Sequence, residues 1–412
     1  MTRQLDDWLE NYMYVTRNLE SPTQYNLWSG IAAISSALRR KCFVNWGLRG
    51  YTYPNFYIAL VGPPGGRKGT AMKIAKRMVE SLEVPMGSDA LGSSQALYNE
   101  MANSQADYLS AAGKTCTHKS ISIWSEEFQV FLSGKDPMII PALTDLFDCA
   151  DKWKYTSLKR GAENLSNCWL TIIGAITPQL LQDLLTREAV GGGLSSRIIF
   201  VVGYGAIRYN AFPMLSDEEH EVKKMLQEDL AQIALMTGPF KLHSSFIEPY
   251  ATWYETIAPH EQPKNEHLLG YDARRALHVS KLSMIVSASE SSSMEITGDH
   301  FKKALAILEE TEADMPNAFY GVSSSHHSEQ FTDLVRYLET HPSCTFKQLL
   351  LEFQLKMPIE DLERHLASLK QSGRVTVHRS ATEKVYQITK EDKAPQRSSI
   401  LKRTLYKRVG NR

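Results

Sequence analysis

The residues best suited to chemistry lie in one short stretch, Gly62-Pro63-Pro64-Gly65-Gly66-Arg67-Lys68-Gly69-Thr70. The apolar run Ile58 to Val61 precedes it and reads as a buried strand. Met72, Ala75, Lys76, Met78 and Val79 follow at helical spacing. Strand, glycine-rich loop, lysine and helix make a phosphate-binding pattern. Gly62, Gly65 and Gly66 let backbone N–H groups turn inward around a triphosphate. Lys68, flanked by Arg67 and Gly69, reaches the outer phosphates, and the helix N-terminus adds partial positive charge. The usual pattern has Gly before the lysine and Ser or Thr after it. In this chain the hydroxyl suited to Mg2+ comes one residue late, at Thr70. A Gly/Pro-rich surface turn is the alternative reading.

Four further groups fit around such a loop. Glu126 and Glu127 end the apolar run Ser120–Ser125. One carboxylate there can support Mg2+ while the other polarises an attacking water; a solvated pair opening a helix is the alternative. Thr177 ends the run Trp169–Ile176, where it either meets that water or the terminal phosphate, or caps a helix beginning at Pro178. Arg197 follows a glycine-rich turn before Ile198–Val202. It reads as an arginine reaching a neighbouring subunit's phosphate, or as a surface arginine paired with a local acid. In Asp151–Leu165, Lys152, Lys154, Lys159 and Arg160 surround a hairpin turn, with Trp153 and Tyr155 between them. That combination suits a grip on a polyanion, or a solvated hairpin whose aromatics pack on the core.

The elements that position these residues are legible in outline. A chain of 412 residues holds two or three domains, and 46 basic residues balance 46 acidic ones, so only local charge can identify a polyanion site. Five scattered cysteines lack metal or redox spacing and read as reduced thiols of a cytoplasmic protein. The start has no signal-peptide pattern, and no apolar run is long enough to cross a membrane. Residues 1–55 read as a helical extension: one helix over 5–20, and a second opened by Ser21 as N-cap, Pro22 and a capping Gln24. Residues 56–322 read as α/β, a parallel sheet with ligand chemistry at the strand C-termini, followed by a helical lid. A polar stretch around 93–113 reads as helical. A serine-rich linker leads to 326–390, where three short helices and a hairpin predict a winged helix. Residues 391–412 read as a basic, flexible tail.

Taken together, these motifs resemble the AAA+ ATPases, within them the minichromosome-maintenance-type helicases and related phage and mobile-element replication proteins. Glu126-Glu127-Phe128 is similar to that family's Asp-Glu-Phe, and Lys159-Arg160-Gly161 to the tip of its presensor hairpin. Thr177-Pro178 resembles the sensor-1 strand end, and Leu194-Ser195-Ser196-Arg197 the arginine-finger motif. Arg274, with Lys281, Ile296-Thr297-Gly298-Asp299 and Ala304, resembles the sensor-2 lid helices. The resemblance spans about residues 56–390. It implies that Lys68 binds phosphates, Thr70 and Glu126 serve the metal, Glu127 is the catalytic carboxylate and Thr177 is sensor 1. Arg197 and Arg274 then act on nucleotide at subunit interfaces. Gly69, Glu126 and Thr177 depart from the usual residues, and with only residues 1–55 ahead of the core the expectation is a compact form without the N-terminal collar of cellular relatives.

The expectation is an ATP- and Mg2+-dependent helicase or translocase in DNA replication, working as a homo-oligomer, a hexamer, in the cytoplasm of a bacterium or phage-infected host. Lys154, Lys159 and Arg160 would grip single-stranded DNA in a central channel, and the winged helix or basic tail would meet replication proteins. The alternatives are a helicase loader or origin-binding initiator that does not unwind DNA, and a winged-helix DNA-binding protein with a degenerate ATPase core.

Overall fold

The apolar run ahead of the glycine loop forms a strand buried along its whole length, Tyr57–Val61, at the inside of a five-stranded sheet. The structure, a computed structural model, describes residues 3–88, 93–110, 113–128, 136, 138–157, 161–184, 193–257 and 268–320. In the C-terminal part it describes 333–335, 337–338, 340–341, 343–354, 357–371, 375–379 and 384–388. The chain divides into two units, one holding residues 1–319 and the other residues 320–399.

In the first unit, helix α1 (Trp8–Thr16) is capped by the Asp7 carboxylate, which accepts from the Glu10 N–H. It is shorter than the helix expected over 5–20. Helix α2 (Thr23–Leu38) is buried along nearly all its length. Its start differs from the expected capping box. Pro22 occupies the cap position with no side-chain cap bond, and the Ser21 hydroxyl donates instead to Asn26 Oδ1. The N-terminal stretch is part of this unit, and the Trp8 indole donates to the Leu226 carbonyl.

Strands β1 (Cys42–Asn45) and β2 (Tyr51–Thr52) pair antiparallel. Then come β3 (Tyr57–Val61), helix α3 (Lys68–Glu80), helix α4 (Ser94–Asn103), β4 (Gln105–Leu109) and β5 (Thr115–Ser125). Helix α5 (Ile139–Phe147) leads to the hairpin β6 (Lys152–Ser157) and β7 (Gly161–Ser166), then to β8 (Cys168–Ile176), helix α6 (Pro178–Leu184) and β9 (Ile198–Val202). Helices α7 (Asp217–Leu235), α8 (Arg275–Glu290) and α9 (Gly298–Asp314) follow. The central sheet has the order β4-β5-β8-β3-β9. Strands β5, β8, β3 and β9 are parallel, so the fold is mixed α/β with a parallel sheet as expected. Strand β4 is an antiparallel edge where a helix was expected. Helix α4 stops at Asn103, and the half-exposed residues of β4 carry no apolar stripe to mark them as a strand.

Register sets the working ends of the sheet level with one another. Val61 of β3 pairs with Ile176 of β8 and Val202 of β9, and Ser125 of β5 pairs with Gly174 of β8. The loops after β3, β5 and β8 therefore leave the same edge, the carboxyl end where open α/β sheets bind ligands.

In the second unit, Ser343–Thr345, Lys384–Ile388 and Val375–Arg379 form a three-stranded antiparallel sheet. Helices Phe346–Phe353 and Ile359–Gln371 contribute Leu349, Phe353, Leu362, Leu366 and Leu369 to its core, with Leu334 and Leu338. The expected serine-rich linker and basic tail lie outside the described residues. All five cysteines are free, and no described helix is long and apolar enough to cross a membrane.

Candidate functional site

The glycine loop leaves β3 at Gly62, whose N–H donates to the Ile176 carbonyl at 3.2 Å and so ties the loop to the end of β8. Side-chain atoms crowd that junction. The Tyr25 hydroxyl donates to the Val61 carbonyl at 2.6 Å, and a Cβ at position 62 would lie 2.3 Å from that hydroxyl and 2.6 Å from the Gly203 carbonyl oxygen. Only glycine fits there. Gly65 has φ +73°, which also favours glycine, and the Gly66 N–H closes a turn onto the Pro63 carbonyl at 3.0 Å. Arg67 takes a left-handed φ of 61° and precedes the first residue of α3, Lys68.

The two loop cations are held differently. Lys68 Nζ donates to the carbonyls of Gly62 at 2.6 Å and Pro63 at 2.8 Å. Burial lowers its pKa to about 8, so the ammonium is poised for an anion that would favour its charged form. Arg67 points away to Glu20 at 2.6 Å. Glu20 also accepts from the Asn210 N–H at 3.1 Å, joining the loop to the segment after β9.

The carboxylates stand beside this loop. Glu126 and Glu127 are exposed at the end of β5, and the Phe128 N–H donates to the Ala175 carbonyl of β8 at 3.0 Å. A Cβ on Gly69 would lie 3.1 Å from Glu126 Oε2. Lys73, one helical turn on from Gly69, approaches Glu126 Oε1 at 3.7 Å. Both side chains of that pair are more than half exposed, so it holds weakly. The α3 position facing Glu126 is thus Gly69, while Thr70, the expected hydroxyl, is exposed and turned roughly 100° further round the helix. Thr177 follows β8, level with Gly62. Its hydroxyl accepts from the Leu180 N–H at 3.4 Å, the helix-cap alternative, without removing it from the loop's edge of the sheet.

Arg197 and Arg274 are brought together, but away from Lys68. Arg197 immediately precedes Ile198, which pairs with Tyr57 at the start of β3, whereas the glycine loop follows the end of β3. Five residues of strand separate the two levels by roughly 16 Å. Arg197 is buried, pairs with Asp148 at 2.7 Å and donates to the Gly193 carbonyl at 2.7 Å. The local-acid alternative therefore describes its resting contacts, although the residue is not on the surface. Arg274 Nε donates to the Ser196 hydroxyl at 3.1 Å, and its Nη1 lies 3.5 Å from Asp148 Oδ1. Beneath them Lys281 is fully buried and donates to the Asn55 carbonyl and side chain at 2.9 and 2.6 Å. Burial lowers its pKa to about 7 and that of His278 to about 3, so the imidazole is neutral.

The third group is the β6–β7 hairpin, whose arms pair from Lys152–Ser166 to Ser157–Gly161. The Lys154 side chain and the tip residues Lys159 and Arg160 lie outside the described residues. Trp153 packs against Tyr98 with ring centroids 4.4 Å apart, so this aromatic serves the body of the unit.

Sequence reasoning missed Tyr25, Glu20 and Asp148. Tyr25 sits in a helix read for its apolar face, and the other two are single acids far in sequence from the arginines they hold.

The group of ligands this site suits can be tested against its residues. Gly65 opens onto free space and Lys68 presents a cation beside it in the loop, which fits a polyphosphate. Among the described residues no cluster of three or more His, Cys, Asp or Glu could hold a metal. Mg2+ bound through one or two carboxylates and nucleotide phosphates needs no such cluster. Neither a comparison with protein-family models nor a search of curated proteins finds a match to this chain.

Proposed function

We propose that the chain is an ATP-dependent DNA motor of the AAA+ type, a helicase or translocase working as a homo-oligomer. The single observation that carries this reading is the convergence of Gly62–Thr70, Glu126, Glu127 and Thr177 on one edge of the parallel sheet. Lys68 and the loop N–H groups would hold the triphosphate, and Glu126 would serve Mg2+, which neutralises phosphate charge when bound. Glu127, free of any described ion pair and next along the chain, would orient the attacking water.

The separation of Arg197 and Arg274 from Lys68 supports a site completed between copies. Neither arginine reaches the loop of its own chain without leaving its contacts, whereas a head-to-tail neighbour can bring one copy's arginines to another's loop. The small sheet and helices of the second unit support the winged-helix reading.

The β6–β7 hairpin joins the amino end of β8 through Asn167, so β8 itself would carry a change at Thr177, at its other end, to the expected DNA-gripping tip. The experiment that tests the proposal is unwinding of a forked duplex with ATP and Mg2+. The unaltered protein should unwind it, Lys68→Ala should not bind nucleotide, and Lys159→Ala should retain basal ATP hydrolysis while losing unwinding. ATP hydrolysis without unwinding would favour a helicase loader or initiator. Absence of nucleotide binding would favour a DNA-binding protein with a degenerate core.

A further inference from the structure

Arg197 and Arg274 meet at a carboxylate that neither the loop nor the hairpin uses. They arrive from different elements, the turn before β9 and the turn before α8, and bring two positive charges together. Arg274 shows the strain of this arrangement: burial and then the Arg197 charge lower its pKa, with Asp148 acting in the opposite sense. Among the described ion pairs, Asp148 is the one carboxylate that either arginine contacts, one oxygen to each. The Arg197 side chain is 8% exposed, that of Arg274 30%, and that of Asp148 50%. The carboxylate therefore lies on the solvent side of the two guanidinium groups. Arg197 Nε, buried, has no hydrogen-bond partner among the described residues. Nearby Lys281 is already committed to Asn55.

Two guanidinium groups closed from outside by one half-exposed carboxylate form an anion site occupied by the chain's own side chain. We propose that Asp148 is a resident stand-in for a phosphoryl group. It would hold Arg197 and Arg274 together in the free subunit, and give way when the terminal phosphate of a nucleotide bound to another copy reaches them. This rests on the reading of the site as shared between copies. Asp148 is then a positioning residue. Its carboxylate keeps two mutually repelling arginines within one anion's width, and the exchange replaces its ion pairs with equivalent ones to phosphate oxygens. The ligand class is a phosphate ester or anhydride.

The test uses the full chain carrying Lys68→Ala, which weakens its own phosphate loop, and inorganic pyrophosphate as the probe, titrated calorimetrically at low salt. Adding Asp148→Asn should tighten pyrophosphate binding by about tenfold or more, the scale of one charge-assisted hydrogen bond released for the ligand. Adding Arg197→Ala to that chain should remove the gain. Asp148→Ser, also neutral and shorter, should give the same gain, so the result does not hang on one substitution. A merely structural Asp148 would lower the melting temperature without improving anion binding. Unchanged or weaker pyrophosphate binding in both Asp148 variants, or a gain that survives Arg197→Ala, overturns the proposal. The titration needs neither hydrolysis nor DNA. A gain stands even if the chain proves not to be a motor, and a working motor without the gain refutes the role of Asp148 alone.

Discussion

Gly69→Ser restores a hydroxyl at the position of α3 that faces Glu126. The backbone there is helical, so serine meets no φ penalty, and its intrinsic helix preference over glycine is worth about 0.5 kcal/mol. The added Cβ would lie 3.1 Å from Glu126 Oε2 and 3.2 Å from its Cδ, closer than ordinary contact. The Glu126 side chain is 59% exposed and can yield by a few tenths of an ångström, the more readily as its only described ion pair is the long one to Lys73. The substitution should therefore leave the melting temperature unchanged or slightly higher. Partners of metal ligands commonly change metal affinity by about 10–100-fold. At the lower end, a hydroxyl beside Glu126 should make Mg2+-dependent nucleotide binding about tenfold tighter, about 1.4 kcal/mol. The assay is nucleotide binding at fixed ATP with Mg2+ titrated, in the unaltered protein, Gly69→Ser and Gly69→Ser/Thr70→Ala. The double variant should keep the gain, because Thr70 is turned away from Glu126. A folded Gly69→Ser protein with unaltered or weaker Mg2+ dependence would refute the placement of the metal at this face.

Two further outcomes follow from the loop. Burial lowers the Lys68 pKa to about 8, and phosphate favours its charged form, so binding takes up a proton above that pH. Nucleotide affinity should be flat from pH 7 to about 8 and then fall by roughly tenfold per unit; affinity that stays level to pH 9.5 contradicts a phosphate contact by Lys68. Gly62→Ala drives a methyl against Tyr25 and Gly203, an overpacking that should cost about 1–3 kcal/mol and be read as a lower melting temperature. Adding Tyr25→Phe should return part of that loss because the closer of the two contacts disappears; strictly additive losses would show that the junction relaxes elsewhere.

The strand, loop and helix around Lys68 were legible because a buried strand, glycines and an amphipathic helix follow one another in the chain, and each signal is local. The β6–β7 hairpin was legible for the same reason. The order β4-β5-β8-β3-β9 was not, since it pairs strands more than a hundred residues apart, as in β3 with β8. Strand β4 was hidden because Gln105, Asp107 and Leu109 face solvent and none of its residues is buried. The cap of α2 was misread because Ser21 has a better partner in Asn26 than in the helix backbone. Asp148 carries no local signal. Its meaning comes from Arg197, 49 residues on, and Arg274, 126 residues on, meeting it only in the folded chain.

In the proposed oligomer the site is completed by two copies, with Lys68 and Glu127 from one and Arg197 from the other. This sharing is tested most directly by mixing Glu127→Gln and Arg197→Ala proteins, each inactive alone, under conditions where co-assembly is verified by size and label exchange. ATP hydrolysis should reappear in the mixture, because some interfaces then join an intact Glu127 to an intact Arg197. An arginine acting in this way contributes about 10³–10⁵ in rate, so even a small fraction of such interfaces is measurable. Co-assembled mixtures that stay inactive would contradict it and place the whole site within one chain.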